Sequence, residues 1–347
     1  MIKKKFKKAA DIRVGVIGYG GAFNMGKGHI TMMRDAGMTP VAVAEPVAER
    51  LAVAKADFPD IETYSSVSEM LKKSKVNLVT IITPHNTHAP IALECLRAGR
   101  HVVCEKPLAI TTAEVDSMIR AAEKAGVMLS TFHNRHWDSW ILQAVDLVCK
   151  KKAIGEVIAV DCHMGGYAQP QDWWRSSKTI SGGALYDWGV HLLEYALQLI
   201  DSSISEVGGY GHEGFWASKT KWKKDCIEDD AFLITRFTGG QRLTLSISNI
   251  ESKDRKGLFE VSGTRGTLVS SWDHSLLRTP DSEGKIVEKR LELPPGEAHR
   301  YYENIANHLT GKAKLIITPE WSRRPIHILD LAVKSAKSGR TLKAKYE

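Results

Sequence analysis

The sequence has few cysteines, no long apolar run and no low-complexity segment apart from its first residues. The five cysteines are odd in number, widely spaced and form no CxxC pair, so we expect free thiols in a reducing compartment rather than a disulfide framework. No apolar stretch approaches the roughly 18 residues that a membrane span needs. The N-terminus leads directly into a strand-like segment instead of an apolar signal region. These absences predict a cytoplasmic protein without a membrane segment.

Two kinds of catalytic motif are also missing. The sequence contains no serine-centred elbow and no Walker loop. His85-x-x-His88 and His133-x-x-His136 have the appearance of metal half-sites, but both follow predicted strands and neither is matched by cysteine or acidic ligands. We therefore expect no metal.

The chain is long enough for two domains, and its charge is unevenly distributed. It has 347 residues, with 48 basic and 40 acidic side chains, which gives a net charge of +8. Five of these charges come from lysines within the first eight residues. Such a run is typical of a solvated terminus rather than a nucleic-acid-binding patch. We expect residues 1–10 to form a basic, disordered tail and no nucleic acid to bind.

Apolar segments alternate with helical segments over residues 11–133. The run Val76–Ile82 is nearly continuous in apolar residues, as is typical of a strand buried on both faces of a parallel sheet. Thr111 and Glu114 have the spacing of a capping box, which predicts a helix that begins after Thr111. Strands alternating with helices of this length indicate βαβ units. We predict an α/β Rossmann domain over 11–133, with a doubly wound parallel sheet.

The pattern changes after residue 133. One helix is predicted over 140–151 and another over 184–200. Strand-like segments flank Gly239–Gly240 and Gly263–Gly266, as in antiparallel hairpins. A closing helix is predicted over 325–335. Residues 134–347 are therefore expected to form a second, α+β domain.

A glycine-rich turn directly follows the first predicted strand. In such a turn the glycines let the main chain approach a pyrophosphate, and the N-terminus of the next helix favours its charge. Phe23 stands where a third glycine is usual, and several more residues precede the helix. Glu45 ends the second strand, where a carboxylate can bind a ribose 2′-hydroxyl and would repel a 2′-phosphate. The pattern favours NAD over NADP, with the turn residues Gly18, Tyr19, Gly20, Gly21, Ala22 and Phe23.

Three further side chains have the chemistry of hydride transfer from an alcohol. Lys106 follows a strand-like segment, at the carboxyl edge of the predicted sheet where ligands bind. Asp187 and His191 are four residues apart and would share one face of a helix. A neutral imidazole can take the hydroxyl proton, and a carboxylate can orient that imidazole. A lysine can stabilise the developing alkoxide. Tryptophans cluster nearby, and the faces of Trp137, Trp173 and Trp174 suit the C–H faces of a sugar or cyclic polyol.

These residues together resemble the glucose–fructose oxidoreductase / inositol dehydrogenase / MocA (Gfo/Idh/MocA) family. The resemblance extends over nearly the whole chain, and its specific motifs are Glu105-Lys106-Pro107 and 182–191. It implies an open, largely antiparallel C-terminal sheet that forms the contact of a homodimer or homotetramer. It also implies the catalytic residues Lys106, Asp187 and His191. Residues lining the nicotinamide would be Thr83, Pro84, His88 and Glu105, and Arg135 would lie near the substrate.

Three functions are compatible with these features. The first is an NAD-dependent dehydrogenase acting on a secondary hydroxyl of a sugar, glycoside or inositol. The second is a glycosidase or epimerase that retains NAD and recycles the hydride. The third is a non-catalytic nucleotide-binding regulator, against which the presence of Lys106, Asp187 and His191 counts. The sequence favours the first.

Overall fold

The structure is a computed structural model that describes residues 5–21, 23–253, 255 and 257–345. No helix within these residues is long and apolar enough to cross a membrane. The elements of the first part of the chain are β1 (Arg13–Ile17), α1 (Met25–Asp35), β2 (Thr39–Ala44), α2 (Ala48–Asp57), β3 (Glu62–Tyr64), α3 (Val67–Lys73), β4 (Leu78–Ile81), α4 (His88–Arg97), β5 (His101–Cys104), α5 (Thr112–Ala125) and β6 (Leu129–Thr131).

The remaining elements are rich in strands. They are α6 (Ser139–Ala144), β7 (Val157–Gly165), α7 (Lys178–Ser181), α8 (Gly189–Leu199), β8 (Ile204–His212), β9 (Asp230–Phe237), β10 (Arg242–Ser248), β11 (Phe259–Gly263), β12 (Gly266–Ser270), β13 (His274–Pro280), β14 (Ile286–Glu292), α9 (Arg300–Leu309), α10 (Pro319–Ser338) and β15 (Leu342–Lys343). The chain divides into two compact units, residues 1–134 with 299–323, and residues 135–298 with 324–347.

The first unit contains a six-stranded sheet in the order β3-β2-β1-β4-β5-β6, with every pair parallel. Strands β4 and β5 are buried at every residue, as the apolar sequence predicted. The capping box is present: the Thr111 hydroxyl accepts from the Glu114 N–H, and the Glu114 carboxylate accepts from the Thr111 N–H. These observations confirm the doubly wound Rossmann sheet.

The second unit contains a nine-stranded sheet in the order β14-β13-β12-β11-β7-β10-β9-β8-β15. Only β7 and β10 are paired in parallel among its described pairs, so the sheet is mostly antiparallel, as expected. The helix α8 packs on one face of it. A Cβ at Gly189 would lie 2.9 Å from Cδ2 of Leu245, and the Cys162 thiol donates to the Leu192 carbonyl.

Two predicted helices differ in the structure. The helix expected over 140–151 is α-helical only to Ala144 and continues as a π-helix over Val145–Lys150. The helix expected over 184–200 begins at Gly189, because Ala184–Tyr186 form a separate 3-10 turn. Asp187 therefore precedes the helix that carries His191, and the premise that the two share one helical face is wrong.

The segment 299–323 belongs to the first unit, whereas the sequence analysis placed it in the second domain. Tyr301 explains this membership: its hydroxyl is 3.0 Å from the Ser130 hydroxyl, and its ring packs edge-on against Phe132. The predicted tail also differs in part. Residues 1–4 lie outside the described residues, but the Phe6 N–H donates to the Leu309 carbonyl, and Ala9–Asp11 form a 3-10 turn.

Candidate functional site

The predicted cofactor residues of the first unit follow three neighbouring strands at one edge of the sheet. The glycine turn follows β1, Thr83 and Pro84 follow β4, and Glu105–Pro107 follow β5. Since these strands are adjacent and parallel, the three segments meet at the carboxyl edge. The order of strands along the chain reverses between β1 and β4, which is the position where dinucleotides bind in such sheets.

The glycine turn opens into α1 only at Met25. Gly18, Gly20 and Gly21 have φ of +93°, +69° and +78°. The close contact expected of a third glycine falls on Gly26, where a Cβ would lie 2.6 Å from Cδ2 of Tyr19. Phe23 instead is 61% exposed, and Ala22 lies outside the described residues. The glycine-to-helix packing of a dinucleotide fold is thus present, shifted by a longer loop.

Tyr19 anchors this loop to the end of α2. Its ring is buried, and its hydroxyl donates to Asp57 at 2.7 Å. Lys27 donates to the same carboxylate at 2.7 Å. Both hydrogen bonds hold the pKa of Asp57 below its usual value, and the one from Lys27 has the larger effect. The turn is therefore held in place by side chains outside the glycine motif.

Glu45 lies at the end of β2 and faces the glycine turn. It is 4% exposed. Its carboxylate accepts from the N–H of Tyr19 and from the N–H of Val47, each at 3.0 Å. These two backbone donors hold the Glu45 carboxylate at the position where the ribose of a cofactor is expected. Arg50 lies beside it, with Nη1 3.9 Å from Oε1.

Glu105 is largely buried, with 14% of its side chain exposed, and connects Lys106 to the interior of the unit. One carboxylate oxygen accepts from the Lys106 N–H, and the other is 3.0 Å from Nε2 of His29. Nδ1 of His29 is 2.5 Å from the Tyr302 hydroxyl. Burial acts to raise the pKa of Glu105, but the hydrogen bond and charge of His29 and the charge of Lys106 bring it below its usual value. The Glu105 carboxylate is thus hydrogen-bonded to the main chain of Lys106.

Thr83, Pro84 and His88 occupy the neighbouring segment in different ways. Thr83 and Pro84 are half-buried, whereas His88 is fully buried at the start of α4. Both His88 ring nitrogens contact main-chain carbonyl oxygens, those of Pro107 and Thr83. His88 therefore reaches the Lys106 segment through the main chain and presents no surface of its own.

In the second unit, a glycine pair shapes the turn that precedes Asp187. Gly183 has φ of +119°, which a residue with a side chain rarely adopts. A Cβ there would lie 2.8 Å from Oε2 of Glu228, and that oxygen accepts from the Ala184 N–H at 2.9 Å. The Glu228 carboxylate thereby fixes the main chain just before Asp187.

Asp187 is close to a cation that lies between aromatic rings. Nε of Arg175 is 3.6 Å from the Asp187 carboxylate, which is 39% exposed. The Arg175 guanidinium lies 4.9 Å from the ring centre of Trp173 and 4.5 Å from that of Trp174. The structure thus brings together Asp187 and two of the predicted substrate tryptophans.

Arg135 packs on the residue that follows Asp187. Its guanidinium lies 4.9 Å from the ring centre of Trp188, and Nη1 donates to Asp138 at 3.0 Å. Tyr195 donates to the same carboxylate. Burial raises the pKa of Asp138 in spite of these partners. Trp137, also predicted to contact substrate, is only 3% exposed, so its ring lies in the interior.

His191 lies on α8 and is 5% exposed. Its ring centre is 5.6 Å from that of Trp188, which also packs edge-on against Trp272 at 5.4 Å. The exposed fraction of Trp272 is 49%. In the second unit, Asp187 and His191 are therefore accompanied by two arginines and a set of tryptophans.

Several residues of this arrangement escaped the sequence analysis. His29 and Tyr302 lie behind Glu105, and Glu228 lies near Gly183. These three residues are distant in sequence from the residues that they contact, so no local pattern reveals them. Gly26 is only seven residues from Tyr19, but it stands outside the usual glycine spacing. Arg175 carried a local signal, since it directly follows Trp173 and Trp174. Among the described residues, no group of three or more His, Cys, Asp or Glu side chains could hold a metal ion.

Comparison with known proteins agrees with this architecture. Residues 12–133 match the model of an oxidoreductase family with an NAD-binding Rossmann fold, and residues 150–344 match its C-terminal α/β domain. A Bacillus subtilis scyllo-inositol 2-dehydrogenase (NADP(+)) is 26% identical over 97% of each chain. A Thermotoga maritima myo-inositol 2-dehydrogenase is 27% identical over 75% of each chain. An NAD-binding protein from Listeria innocua has a TM-score of 0.82 at 26% identity, covering 98% of this chain and 97% of its own.

The two domain matches together span most of the chain, and they coincide with the parallel sheet of the first unit and the mostly antiparallel sheet of the second. The protein belongs to the Gfo/Idh/MocA oxidoreductase family and is an NAD(P)-dependent oxidoreductase.

Proposed function

We propose that this protein is an NAD-dependent dehydrogenase that acts on a secondary hydroxyl group of a sugar, glycoside or inositol. One observation carries the proposal: Lys106 follows β5 at the same sheet edge as the glycine turn after β1, with only β4 between them. An amine at this edge is suited to a carbinol presented to a nicotinamide. The inositol dehydrogenases among the relatives support a polyol as the substrate class.

Each proposed catalytic residue has a separate role. The bound nicotinamide supplies the hydride acceptor. Lys106 stabilises negative charge that develops on the carbinol oxygen. His191 accepts the hydroxyl proton, and Asp187 orients the reacting group and balances charge. The rings of Trp173 and Trp174 contact the substrate ring, and Arg135 lies near its polar groups. Thr83, Pro84 and Glu105 act on the nicotinamide side.

Glu45 supports NAD as the cofactor. Its buried carboxylate is held by the N–H groups of Tyr19 and Val47, so it cannot easily swing away from a 2′-phosphate. The B. subtilis relative is named for NADP, which makes the choice a direct question for measurement. We expect NADH to bind more tightly than NADPH in a fluorescence titration, and Glu45→Ser to narrow the difference. Equal affinities in the unmodified protein would contradict the proposal.

The activity is tested by following NADH formation across a panel of inositols, sugars and glycosides. Lys106→Ala and His191→Ala are expected to lower kcat/KM by a factor on the order of 10² to 10⁴, since each removes a group that acts in the transition state. Lys72→Ala and His212→Ala, at exposed positions of the two units, serve as matched controls. Full activity in both active-site variants would exclude this catalytic set.

The same experiment distinguishes the other functions. Nucleotide that copurifies in stoichiometric amount, with substrate turnover but no net NADH, would indicate a glycosidase or epimerase that recycles the hydride. Tight NAD binding without turnover, unchanged by loss of Lys106 or His191, would indicate a regulator.

A homodimer or homotetramer formed through the C-terminal sheet is part of the proposal. The buried Leu233 is paired with Leu245, which faces α8. Phe232 and Ile234 flank Leu233 in the same strand, so their side chains point to the opposite face of the sheet. Tyr210, paired with Phe232, is 64% exposed. Light scattering coupled to size exclusion tests this assembly, and Phe232→Lys is expected to shift it to the monomer.

A further inference from the structure

We propose that His88 is a positioning residue that fixes Lys106 by joining the two loop segments that follow β4 and β5. The inference rests on the catalytic role proposed for Lys106, and it adds a residue that acts on Lys106 through the main chain. His88 itself contacts neither substrate nor cofactor in this proposal.

The contacts of His88 are with main-chain atoms on both sides. Nδ1 lies 2.7 Å from the carbonyl oxygen of Pro107, the residue after Lys106. Nε2 lies 2.8 Å from the carbonyl oxygen of Thr83, in the segment after β4. The side chain is fully buried, so water cannot substitute for either bond. The imidazole therefore sets the distance between the two segments.

The two bonds also constrain the charge of the ring. A carbonyl oxygen only accepts, so both nitrogens donate when the ring is an imidazolium, whereas a neutral ring donates from one. Burial lowers the pKa of His88, while the two carbonyls and the charge of Glu105 act in the opposite direction. The charge of Lys106 also lowers the pKa of His88, and the ring centre of His85 lies 5.7 Å from that of His88. The protonation state of His88 and the position of the two loop segments that it contacts are thus linked.

Lys106 is held from both sides as a result. Glu105 accepts from the Lys106 N–H, and Nδ1 of His88 contacts the carbonyl oxygen of Pro107. A catalytic group that is misplaced by about 1 Å can lose a factor on the order of 100 in rate. The paired contacts give the lysine main chain a fixed position from which its amine can act.

The test compares His88→Ala with a matched buried histidine. His101 is equally buried and begins β5, the strand that leads to Lys106, but its Nδ1 bonds the Met128 N–H at the far end. Two readouts require no turnover: hydrogen exchange of the Thr87, Glu105 and Lys106 amides, and the rate at which an amine reagent labels Lys106, both followed by mass spectrometry. kcat and the Kd of NADH are measured on the same proteins.

In His88→Ala we expect these amides to exchange about tenfold faster, because the two segments that carry them lose the imidazole that joins them and open more often. The labelling rate of Lys106 should change, and kcat should fall more than the affinity for NADH. Added imidazole should reverse these effects by filling the cavity. His101→Ala should lower Tm but leave the labelling rate, the local exchange and the ratio of kcat to Kd unchanged.

Exchange and labelling in His88→Ala equal to the unmodified protein, or changed to the same extent in His101→Ala, would overturn the proposal. If His88→Ala does not fold, His88→Gln provides the same test, since an amide can replace only part of the double contact. Should no substrate be turned over, the dehydrogenase proposal fails while the exchange and labelling data still decide the role of His88.

Discussion

Among single residues, Glu105 combines extensive burial with two neighbours, His29 and Lys106, that favour its charged form. Its pKa lies below the usual value in the folded protein, because the contributions of His29 and Lys106 outweigh burial. A carboxylate with a lowered pKa stabilises the fold above its unfolded pKa, near 4.5, and this stabilisation is lost as the pH falls through the folded-state pKa. The stability of the first unit should therefore decline in acid for a reason that can be assigned to one side chain.

We predict that Glu105→Gln lowers the free energy of unfolding near neutral pH by about 1.5 to 3 kcal/mol, the range for a hydrogen bond to a charged group. The difference from the unmodified protein should shrink as the pH falls below about 4.5, because the carboxylate is then protonated first in the unfolded chain and, at lower pH, in the folded protein. Thermal unfolding followed across this pH range measures it. Glu123→Gln, exposed on α5, is the control. A difference in Tm that is constant over the whole range would contradict the assignment.

Gly26 and Gly28 offer a second comparison between single residues, since both lie in α1. A Cβ at Gly26 would approach Tyr19 to 2.6 Å, whereas a Cβ at Gly28 meets nothing within 4 Å. We predict that Gly26→Ala destabilises by about 1 to 3 kcal/mol through overpacking and weakens NADH binding. Gly28→Ala should stabilise by about 0.5 to 1 kcal/mol, because alanine is the better helix former. Chemical denaturation and NADH titration test both; equal effects of the two substitutions would refute the packing role of Gly26.

Among the secondary-structure elements, the turn before α8 determines where Asp187 lies. Gly183→Ala would place a methyl group 2.8 Å from the Glu228 carboxylate and would force an unfavourable positive φ. We predict a loss of about 1 to 3 kcal/mol in stability together with a fall in turnover, since the main chain before Asp187 must shift. Gly166→Ala, in the same unit with no atom within 4 Å of the added methyl, should leave both unchanged. Unfolding curves and steady-state rates measure the two effects. Unchanged kinetics in Gly183→Ala would contradict the role of this turn in positioning Asp187.

The elements that could be predicted from sequence are those with a local signal. The strands β4 and β5 are short apolar runs, α5 has a capping box, and β9 and β10 are joined at a pair of glycines. The strand β8 contains three glycines, and β14 is exposed at nearly every residue, so neither shows the apolar alternation of a half-buried strand. Their place in the sheet is set by hydrogen bonding to neighbours distant in sequence.

The candidate site follows the same division. Lys106, Asp187 and His191 were expected because they stand in compact motifs at predicted element ends. The spacing of Asp187 and His191 predicted a shared helical face, and this prediction was wrong. The helix α8 begins only at Gly189, because the preceding turn is formed by Gly182 and Gly183 and held by the Glu228 carboxylate. Periodicity describes the helix once it has formed, but the turn before it depends on a contact 44 residues away.

For the whole molecule, the chain returns to its first unit after forming most of the second. His29 and Ser130 are both bonded to tyrosines in the segment 299–323, and Arg323 pairs with Asp116 at 2.5 Å. Phe132 packs on Tyr301 and Tyr302. The first unit therefore has a discontinuous sequence, and the break near residue 133 that composition suggests omits part of its core.

We predict that residues 1–134 alone do not fold stably, whereas the same residues joined by a flexible linker to 299–323 unfold cooperatively and bind NADH. The reason is that removal of the segment 299–323 leaves the buried Ser130 hydroxyl and Nδ1 of His29 without their hydrogen-bond partners. It also exposes Phe132, and together these changes cost several kcal/mol in domains whose net stability is about 5 to 15 kcal/mol. Circular dichroism melts and NADH fluorescence provide the measurements. The control carries the same linker followed by residues 299–323 in scrambled order, and it should behave like 1–134 alone. Cooperative unfolding and NADH binding by 1–134 without the added segment would show that the returning helix is dispensable to the Rossmann core.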